Sequence, residues 1–112
     1  MMEASQQGDE MMQLFQFMNG NKNGFLCKKV KCNDGYSVSI QASSGHYCSP
    51  RQELPAYEFY NSYELGYPSE PDPMINDYAE CADDGFTETV YPYVPKEVVI
   101  ALIEKHGGVK AS

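Results

Sequence analysis

Hydrophobic and polar residues alternate on both sides of a strong turn signal in the first half of the chain. The segment Phe25–Ala42, FLCKKVKCNDGYSVSIQA, has Asn33-Asp34-Gly35 near its centre. An Asp-Gly pair between two alternating runs is typical of a β-hairpin. A three-residue loop with a bulge at Gly35 pairs Val30 with Val38 and collects the apolar side chains on one face, whereas a two-residue loop divides them. Burial therefore favours the bulged register.

This register fixes the remaining pairs of the predicted hairpin. Gly35 is required at the bulge because glycine adopts a positive φ without strain. The other expected pairs are Cys32 with Tyr36, Lys28 with Ile40, and Leu26 with Ala42. The outer face is expected to carry Cys27, Lys29, Lys31, Ser37, Ser39 and Gln41.

Helical spacing marks a segment near the start of the chain. Four apolar residues recur at helical intervals between a possible N-cap, Asp9, and a possible C-cap, Gly20. These four are Met11, Leu14, Phe15 and Met18. We predict residues 1–24 to be an N-terminal extension, either flexible or a short docked helix, and residues 25–112 to be one α+β domain. The methionines could also form a contact for a partner or a second copy.

The clearest predicted helix covers about residues 95–106. Pro95 suits its first position, and Gly107-Gly108 supply a C-terminal stop. The core-facing stripe is predicted to be Val98, Val99, Leu102 and Ile103, with Ile100 near the exposed edge. His106 lies in the last turn, where a protonated imidazole is favoured by the helix dipole.

Three shorter elements complete the predicted fold. Asp72-Pro73 would begin a short helix near residues 73–81. The alternation from Tyr57 to Leu65 predicts a half-buried strand, with an interruption at Asn61 left open. The run Thr87–Tyr93 contains Pro92, so it is expected either to be an edge strand or to end at that proline. The fold class is therefore α+β: a small antiparallel sheet built on a hairpin at about 25–42, with the C-terminal helix packed on one face.

Charge is distributed unevenly along the sequence. The formal net charge is −8, and ten acidic residues with no Lys or Arg lie between Gln52 and Pro95, together with seven of the nine tyrosines. This balance argues against direct nucleic-acid binding, which depends on excess basic residues. The stretch is either a solvated acidic face or a surface that meets a basic partner. The candidate binding residues are Glu58, Tyr60, Glu64, Glu80, Asp83, Asp84 and Glu88.

The sequence also predicts a location. No apolar run reaches the roughly 18 residues of a membrane span, and the polar opening MMEASQQGDE does not resemble a signal peptide. We therefore expect no membrane association, a cytoplasmic location and reduced cysteines.

Cysteine and histidine residues raise the question of a metal site. Cys27 and Cys32 are five residues apart, so along one strand they point to opposite faces and cannot close on one ion. The acidic residues around Asp83 do not match the spacing of an EF-hand loop. We expect no metal and no cofactor.

The most chemically varied patch is the loop from His46 to Arg51. Its candidate ligand-binding residues are His46, Tyr47, Cys48, Ser49 and Arg51, with Arg51 suited to a phosphate or carboxylate. A Cys48 nucleophile with His46 as base would need a third orienting residue, and none is identifiable. Recognised catalytic motifs are also missing from the sequence. We expect no catalytic residues and a non-enzymatic protein.

Three blocks of the sequence resemble a known group of proteins. They are VKCNDGYSVSIQAS with HYCSPR, then YELGYPSEP, then TVYPYVPKEVVIALIEKHGG, and they cover about residues 29–108. In this order they resemble small, functionally uncharacterised proteins encoded by tailed phages and prophages. The resemblance implies an accessory phage protein that acts in the cytoplasm of a bacterial host, and it implies no catalytic residue.

Two functions from different classes follow from the sequence. The first is a non-enzymatic binder of a host or phage protein through the acidic, tyrosine-rich stretch. The second is a small-ligand binder or minor enzyme built on the His46–Arg51 loop. A deep pocket at that loop would favour the second function.

Overall fold

A four-stranded antiparallel sheet and two helices enclose the hydrophobic core. The computed structural model describes residues 3–83 and 85–110, with side chains described from residue 11 onward. The helices are α1 (Glu3–Gly20) and α2 (Lys96–Lys105), and the strands are β1 (Lys22–Asn23), β2 (Leu26–Cys27), β3 (Val30–Lys31), β4 (Ser37–Gln41), β5 (Ser62–Gly66) and β6 (Val90–Pro95). The main sheet has the order β3-β4-β5-β6, and β1 and β2 form a separate small hairpin. The predicted α+β class, with the C-terminal helix packed against the sheet, is confirmed.

The bulged register of the β3–β4 hairpin is confirmed. Val30 pairs with Val38, and the Cys32 backbone N–H donates to the Tyr36 carbonyl at 2.8 Å. Gly35 has a φ of 97°, as the bulge requires. The Asp34 carboxylate accepts a hydrogen bond from the Tyr36 backbone N–H at 2.9 Å, which fixes the turn.

The predicted hairpin is too long at its open end. Leu26 is exposed and Cys27 is buried, the reverse of the prediction. The β3–β4 pairing ends at Val30, so the predicted pairs of Lys28 with Ile40 and of Leu26 with Ala42 do not form. The reason is that β2 turns away to pair with β1. The Gln41 side chain replaces a neighbouring strand: its amide accepts from the Cys27 backbone N–H and donates to the Cys27 carbonyl, both at 2.8 Å. Gln41 is therefore buried, not exposed as predicted.

Helix α2 supplies a large part of the core. Val99, Leu102 and Ile103 are buried as predicted, but Ile100 is also buried and Val98 only half-buried. Ile100 was predicted near an exposed edge. It lies one turn after Lys96, whose ammonium is 5.4 Å from the centroid of the Phe15 ring, so it is on the side of α2 against which α1 packs. The glycine stop is confirmed: Gly107 and Gly108 have positive φ, and their N–H groups bond to carbonyls of the last helical turn.

Helix α1 extends further than the sequence pattern predicted. It begins at Glu3, so Asp9 lies within the helix and is not its N-cap. Its buried side chains are Leu14, Phe15 and Met18. The Phe15 ring stacks on Tyr63 of β5 with ring centroids 5.9 Å apart, which places α1 against the sheet.

The segment before β5 is a 3-10 helix instead of the first half of a strand. Tyr57–Phe59 form that helix, and β5 starts only at Ser62, so the interruption at Asn61 is present. The change of period buries Tyr60 and exposes Phe59, the opposite of the alternation expected for one continuous strand.

Of the two remaining short elements predicted from the sequence, the helix is shorter than expected and the strand is present. The predicted helix near residues 73–81 is reduced to a 3-10 turn at Asn76–Tyr78, preceded by an Asp72 carboxylate that accepts from the Met74 N–H at 2.9 Å. The edge position predicted for the run Thr87–Tyr93 is confirmed, because β6 ends the sheet order, but the strand covers Val90–Pro95 and continues past Pro92. Pro92 and Pro95 offer no N–H groups there, which protects the edge from further pairing.

The bulge provides a direct test of the hairpin. Gly35→Val should lower the free energy of unfolding by more than about 1 kcal/mol, because a β-branched residue resists positive φ. An added Cβ would meet nothing within 4 Å, so the loss reports mainly backbone strain. Gly35→Asn is the control and should lose less, since asparagine tolerates this conformation. Equal losses in urea unfolding would contradict the assignment.

Candidate functional site

The His46–Arg51 loop holds its cysteine inside the protein. The Cys48 side chain is only 1% exposed, and its Sγ lies 3.3 Å from the Ser43 carbonyl, to which it donates. Burial raises the pKa of the Cys48 thiol, which keeps the thiol protonated and unreactive. Cys48 is therefore a packing residue in this loop and is not placed to act as a nucleophile.

Several polar groups of the same loop form contacts with nearby residues. The His46 Nδ1 atom lies 2.7 Å from the Oγ of buried Ser43, and Ser49 is paired with Ser62 through the backbone. The Arg51 guanidinium lies 5.0 Å from the centroid of the Tyr47 ring. Tyr47 and Arg51 are the two exposed members of the predicted ligand set.

Tyr47 belongs to a surface formed with the edge strand. A β-bulge sets Pro92 and Tyr93 together opposite Glu64, because Tyr63 pairs with Val94 while Leu65 pairs with Tyr91. Tyr93 has a φ of 55°, which is uncommon for a bulky residue, and its side chain is 48% exposed. Its backbone N–H donates to the Tyr47 carbonyl at 3.0 Å.

A hydrogen bond joins Tyr47 and Glu64, two predicted site residues that are far apart in the chain. The Glu64 carboxylate accepts from the Tyr47 backbone N–H at 2.8 Å. The Tyr47 and Tyr93 rings lie 6.0 Å apart in a tilted arrangement. The bulge thus presents a pair of tyrosines beside a carboxylate.

A third exposed tyrosine lies near the beginning of β6. Tyr67 has a φ of 50° and is 49% exposed, and its N–H donates to the Thr89 carbonyl at 3.1 Å. The Glu80 N–H donates to the Val90 carbonyl at 2.9 Å, so the loop before β6 returns to the same edge. Glu80, Asp83 and Glu88 are exposed on this loop. We define the β6 surface as Tyr47, Glu64, Tyr67, Glu80, Asp83, Glu88 and Tyr93.

The other predicted binding residues do not join this surface. Tyr60 is buried, because its hydroxyl donates to the Gln52 carbonyl at 2.6 Å and accepts from the Leu54 N–H at 3.0 Å. This contradicts its prediction as a surface residue. Asp84 lies outside the described residues.

Glu58 is exposed but lies at the opposite end of β6. Its carboxylate accepts from the Asn19 side-chain amide at 2.8 Å, and its carbonyl accepts from Lys96, the first residue after β6. Five steps along β6 at about 3.3 Å each separate this end from the Glu80 end by roughly 17 Å. The acidic stretch therefore forms separate groups instead of one continuous face.

A groove opens between α1 and the first 3-10 helix. Its volume is about 470 Å³. Its lining residues are Met11, Met12, Phe15, Gln16, Asn19, Glu58, Phe59 and Lys96. None of them belongs to the His46–Arg51 loop, so the groove gives no support to a ligand site at that loop.

A buried histidine connects three distant parts of the chain. His106 Nδ1 lies 2.6 Å from an Asp34 carboxylate oxygen, and Nε2 lies 2.7 Å from an Asp72 carboxylate oxygen. The Tyr36 ring stacks on the imidazole with centroids 3.8 Å apart. Lys105 donates to the other Asp72 oxygen at 3.0 Å. This cluster was not predicted from the sequence, because Asp34, Asp72 and His106 are far apart in the chain and form no recognisable motif.

The two carboxylates determine the charge of that histidine. Burial alone would lower the pKa of His106, but the hydrogen bonds and charges of Asp34 and Asp72 outweigh it and raise the pKa. Burial would raise the pKa of Asp72, yet bonds from the Met74 N–H, His106 and Lys105 lower it overall. With both ring nitrogens between carboxylates and little solvent access, the imidazolium is suited to stabilising the fold and not to proton transfer.

Two findings concern metals and membranes. In residues 3–83 and 85–110, no group of three or more His, Cys, Asp or Glu side chains is arranged to hold a metal ion. Within the same residues, neither helix has the length and apolar character needed to cross a bilayer.

Comparison with protein-family models, with curated proteins and with solved structures gives no match to this chain. The geometry of the β6 surface and the charge around it are therefore the features that bear on function.

Proposed function

We propose that this chain is a non-enzymatic binding protein that recognises a basic partner protein through the β6 surface. The resemblance to small phage and prophage proteins supplies the proposed setting, an accessory role in the cytoplasm of a bacterial host. The partner would be a host or phage protein.

The observation that carries this proposal is the strained backbone of two exposed tyrosines. Tyr67 and Tyr93 have φ values of 50° and 55°. A left-handed conformation in a residue other than glycine costs about 1–3 kcal/mol and tends to occur at functional sites. Neither ring is buried in the core, so the strained backbone does not serve core packing. We assign to it the presentation of both rings to a partner.

The charge of the β6 surface defines the chemistry of that partner. Its acidic members lie within the stretch that has ten acids and no Lys or Arg. Tyrosine rings attract cations and are enriched at the centres of protein interfaces. Lysine or arginine side chains beside an apolar group would satisfy both features. A basic protein surface therefore fits better than a nucleic acid.

The alternative function, at the His46–Arg51 loop, has weaker support. Its thiol is buried and donates to the Ser43 carbonyl, and Nδ1 of its histidine is paired with the Ser43 hydroxyl. Tyr47 and Arg51, which remain exposed, contribute to the β6 surface or lie directly beside it. The two exposed residues of the loop are therefore consistent with the protein-binding proposal.

Charge reversal tests the β6 surface. The wild-type chain is first used for affinity capture from a bacterial lysate, and captured proteins are identified by mass spectrometry. The affinity of a purified partner should then fall by at least about tenfold, or about 1.4 kcal/mol, for Glu80→Lys with Glu88→Lys. The association rate should lose salt dependence, because screening acts over a Debye length of about 8 Å at physiological ionic strength.

The control changes the same number of charges elsewhere. Glu97→Lys with Glu104→Lys alters two acids on α2, outside the β6 surface, and shifts the net charge by the same amount. Both pairs should leave the unfolding midpoint nearly unchanged, since Glu97 is exposed, Glu104 is only half-buried, and surface charges contribute within about 0.5 kcal/mol. Equal binding by both pairs and by the wild type at two salt concentrations would show that the acidic residues are only solvated.

Tyr93→Asn separates the contribution of the exposed Tyr93 ring to binding from its contribution to stability. Asparagine tolerates the left-handed backbone, so the free energy of unfolding should change by less than about 0.5 kcal/mol. Partner affinity should nevertheless fall by about tenfold or more, because the exposed ring is lost. Full binding by this variant, measured by calorimetry beside its thermal unfolding, would contradict a role for the strained tyrosine.

A further inference from the structure

Two apolar features of the surface are not covered by any part of the chain that the structure describes. The first is the tip of the β1–β2 hairpin, where Phe25 is 61% exposed and Leu26 59% exposed. The second is the groove between α1 and the first 3-10 helix, where Met12 is 58% exposed and Phe59 59% exposed. Large apolar side chains exposed to this extent in contiguous patches are typical of interaction sites.

Contacts with the rest of the chain anchor both strands of the β1–β2 hairpin. Lys22 forms an ion pair with Glu53 at 3.6 Å and lies 5.8 Å from the centroid of the Tyr57 ring. At the other strand, the Gln41 amide holds the backbone of Cys27. These contacts fix both strands of the hairpin, and the tip between them projects into solvent.

The charges of the tip and the groove are complementary. No acidic residue occurs from Met11 to Asn33, and Lys28 and Lys29 follow the tip with exposed side chains. The groove contains one acidic side chain, Glu58, which is exposed. The one cation of its lining, Lys96, lies 5.4 Å from the centroid of the Phe15 ring and bonds to the Glu58 carbonyl, so its ammonium is already engaged within the chain.

We propose that the hairpin tip of one copy occupies the α1 groove of a second copy in a two-fold symmetric dimer. Phe25 and Leu26 would fill the groove, and Lys28 or Lys29 would approach Glu58. A volume of about 470 Å³ is within the range of sites that enclose a small group of side chains. The same contact, made twice, would cover all four of the most exposed apolar side chains.

Symmetry favours a second copy over another occupant. Asn19 lines the groove, and the hairpin starts at Lys22, only three residues later. Three residues span at most about 10 Å, so the hairpin begins close to the groove. A two-fold axis between two copies would then allow both tips to insert at once and would close the assembly. The Glu80 end of the β6 surface lies at the other end of β6 from this contact. The inference therefore does not depend on the proposed function.

Sedimentation velocity over a range of protein concentrations tests the dimer. The wild type should dimerise, and Phe25→Asp with Leu26→Asp should weaken dimerisation by at least about tenfold. Tyr67→Asp with Met74→Asp adds the same charge at two exposed positions outside the contact, and it should dimerise like the wild type. All of these positions are exposed, and circular dichroism checks that each variant remains folded. A wild type that is monomeric throughout, or a tip variant that still dimerises, would overturn the proposal.

Cysteine cross-linking tests the placement of the tip. In a Cys81→Ser background, Leu26→Cys mixed with Phe59→Cys should form a disulfide-linked dimer under mild oxidation. Leu26→Cys mixed with Tyr67→Cys should not, and cross-linking in both mixtures to the same extent would overturn the assignment. Vesicles of anionic lipid test whether the tip binds a lipid surface instead of a second copy. Tip-dependent binding to them by a chain that stays monomeric would assign the tip to lipid and reject the second copy.

Discussion

Replacing His106 with leucine should lower the free energy of unfolding by about 3 kcal/mol. Asp72 is buried, and the imidazolium is one of its two charged partners, so the substitution leaves a poorly compensated carboxylate in the interior. Removing one partner of a buried ion pair costs about 3–5 kcal/mol, and Lys105 offsets part of that loss. Urea unfolding near neutral pH measures the difference. A loss below about 0.5 kcal/mol would mean that the cluster does not stabilise the fold.

The same cluster predicts how stability depends on pH. The pKa of His106 is raised in the folded state, so its contribution is complete below the unfolded value of about 6.5 and is lost as the pH rises through the folded pKa. The pKa values of Asp34 and Asp72 are lowered, so their contributions are present above about 3.9 and are lost as the pH falls through the folded values. Stability should therefore be greatest between roughly pH 4 and pH 6.5.

His106→Gln isolates the titration from the hydrogen bonds. The wild type should unfold at a lower urea concentration near pH 8 than near pH 6, and the variant should lose most of that difference, because its amide does not titrate. His46 is the other histidine of the chain, so His46→Gln serves as the matched control. An unchanged pH dependence in His106→Gln would contradict the raised pKa.

The hairpin shows what the sequence determines locally. Asp34-Gly35 and the apolar alternation specified the β3–β4 register because a one-residue slip would have exposed Val30 and Val38. Gly107 and Gly108 specified the end of α2 for a similarly local reason, the need for positive φ. Both features depend on neighbouring residues, so both could be predicted without the rest of the structure.

Other features depended on partners that are distant in the chain. Ile100 is buried because α1 covers that side of α2, and nothing in the α2 sequence contains this information. Gln41 replaces a strand at Cys27, which reverses the expected burial of both residues. The 3-10 turn before β5 exchanged the roles of Phe59 and Tyr60. In each case tertiary packing overrode a correct local pattern.

The candidate site was predicted in part. The acidic stretch led to Glu80, Asp83 and Glu88, which are exposed near the start of β6. The strained tyrosines could not be identified, because a positive φ at Tyr67 or Tyr93 follows from the path of the folded chain and not from residue type. Pro92 gave the one available signal, since a proline within a strand often marks a bulge.

Leu102→Ala should lower the free energy of unfolding by about 2–4 kcal/mol. Leu102 is fully buried on α2, and truncation there loses apolar contacts and leaves a cavity that the surroundings only partly fill. Glu97→Ala, at an exposed position of the same helix, is the control and should change stability by less than about 0.5 kcal/mol. Chemical denaturation of the three proteins gives the comparison.

Ile100→Ala extends this measurement to the residue that the sequence pattern placed near the exposed edge. Because Ile100 is almost fully buried, its truncation should also cost about 2 kcal/mol or more. If α1 were not docked on α2, Ile100 would contact water, and its truncation would cost no more than that of Glu97. The ratio of the Ile100 and Leu102 effects therefore measures the docking of α1, on which the groove depends. A small Ile100 effect beside a large Leu102 effect would argue against that docking and against the groove as a site for a second copy.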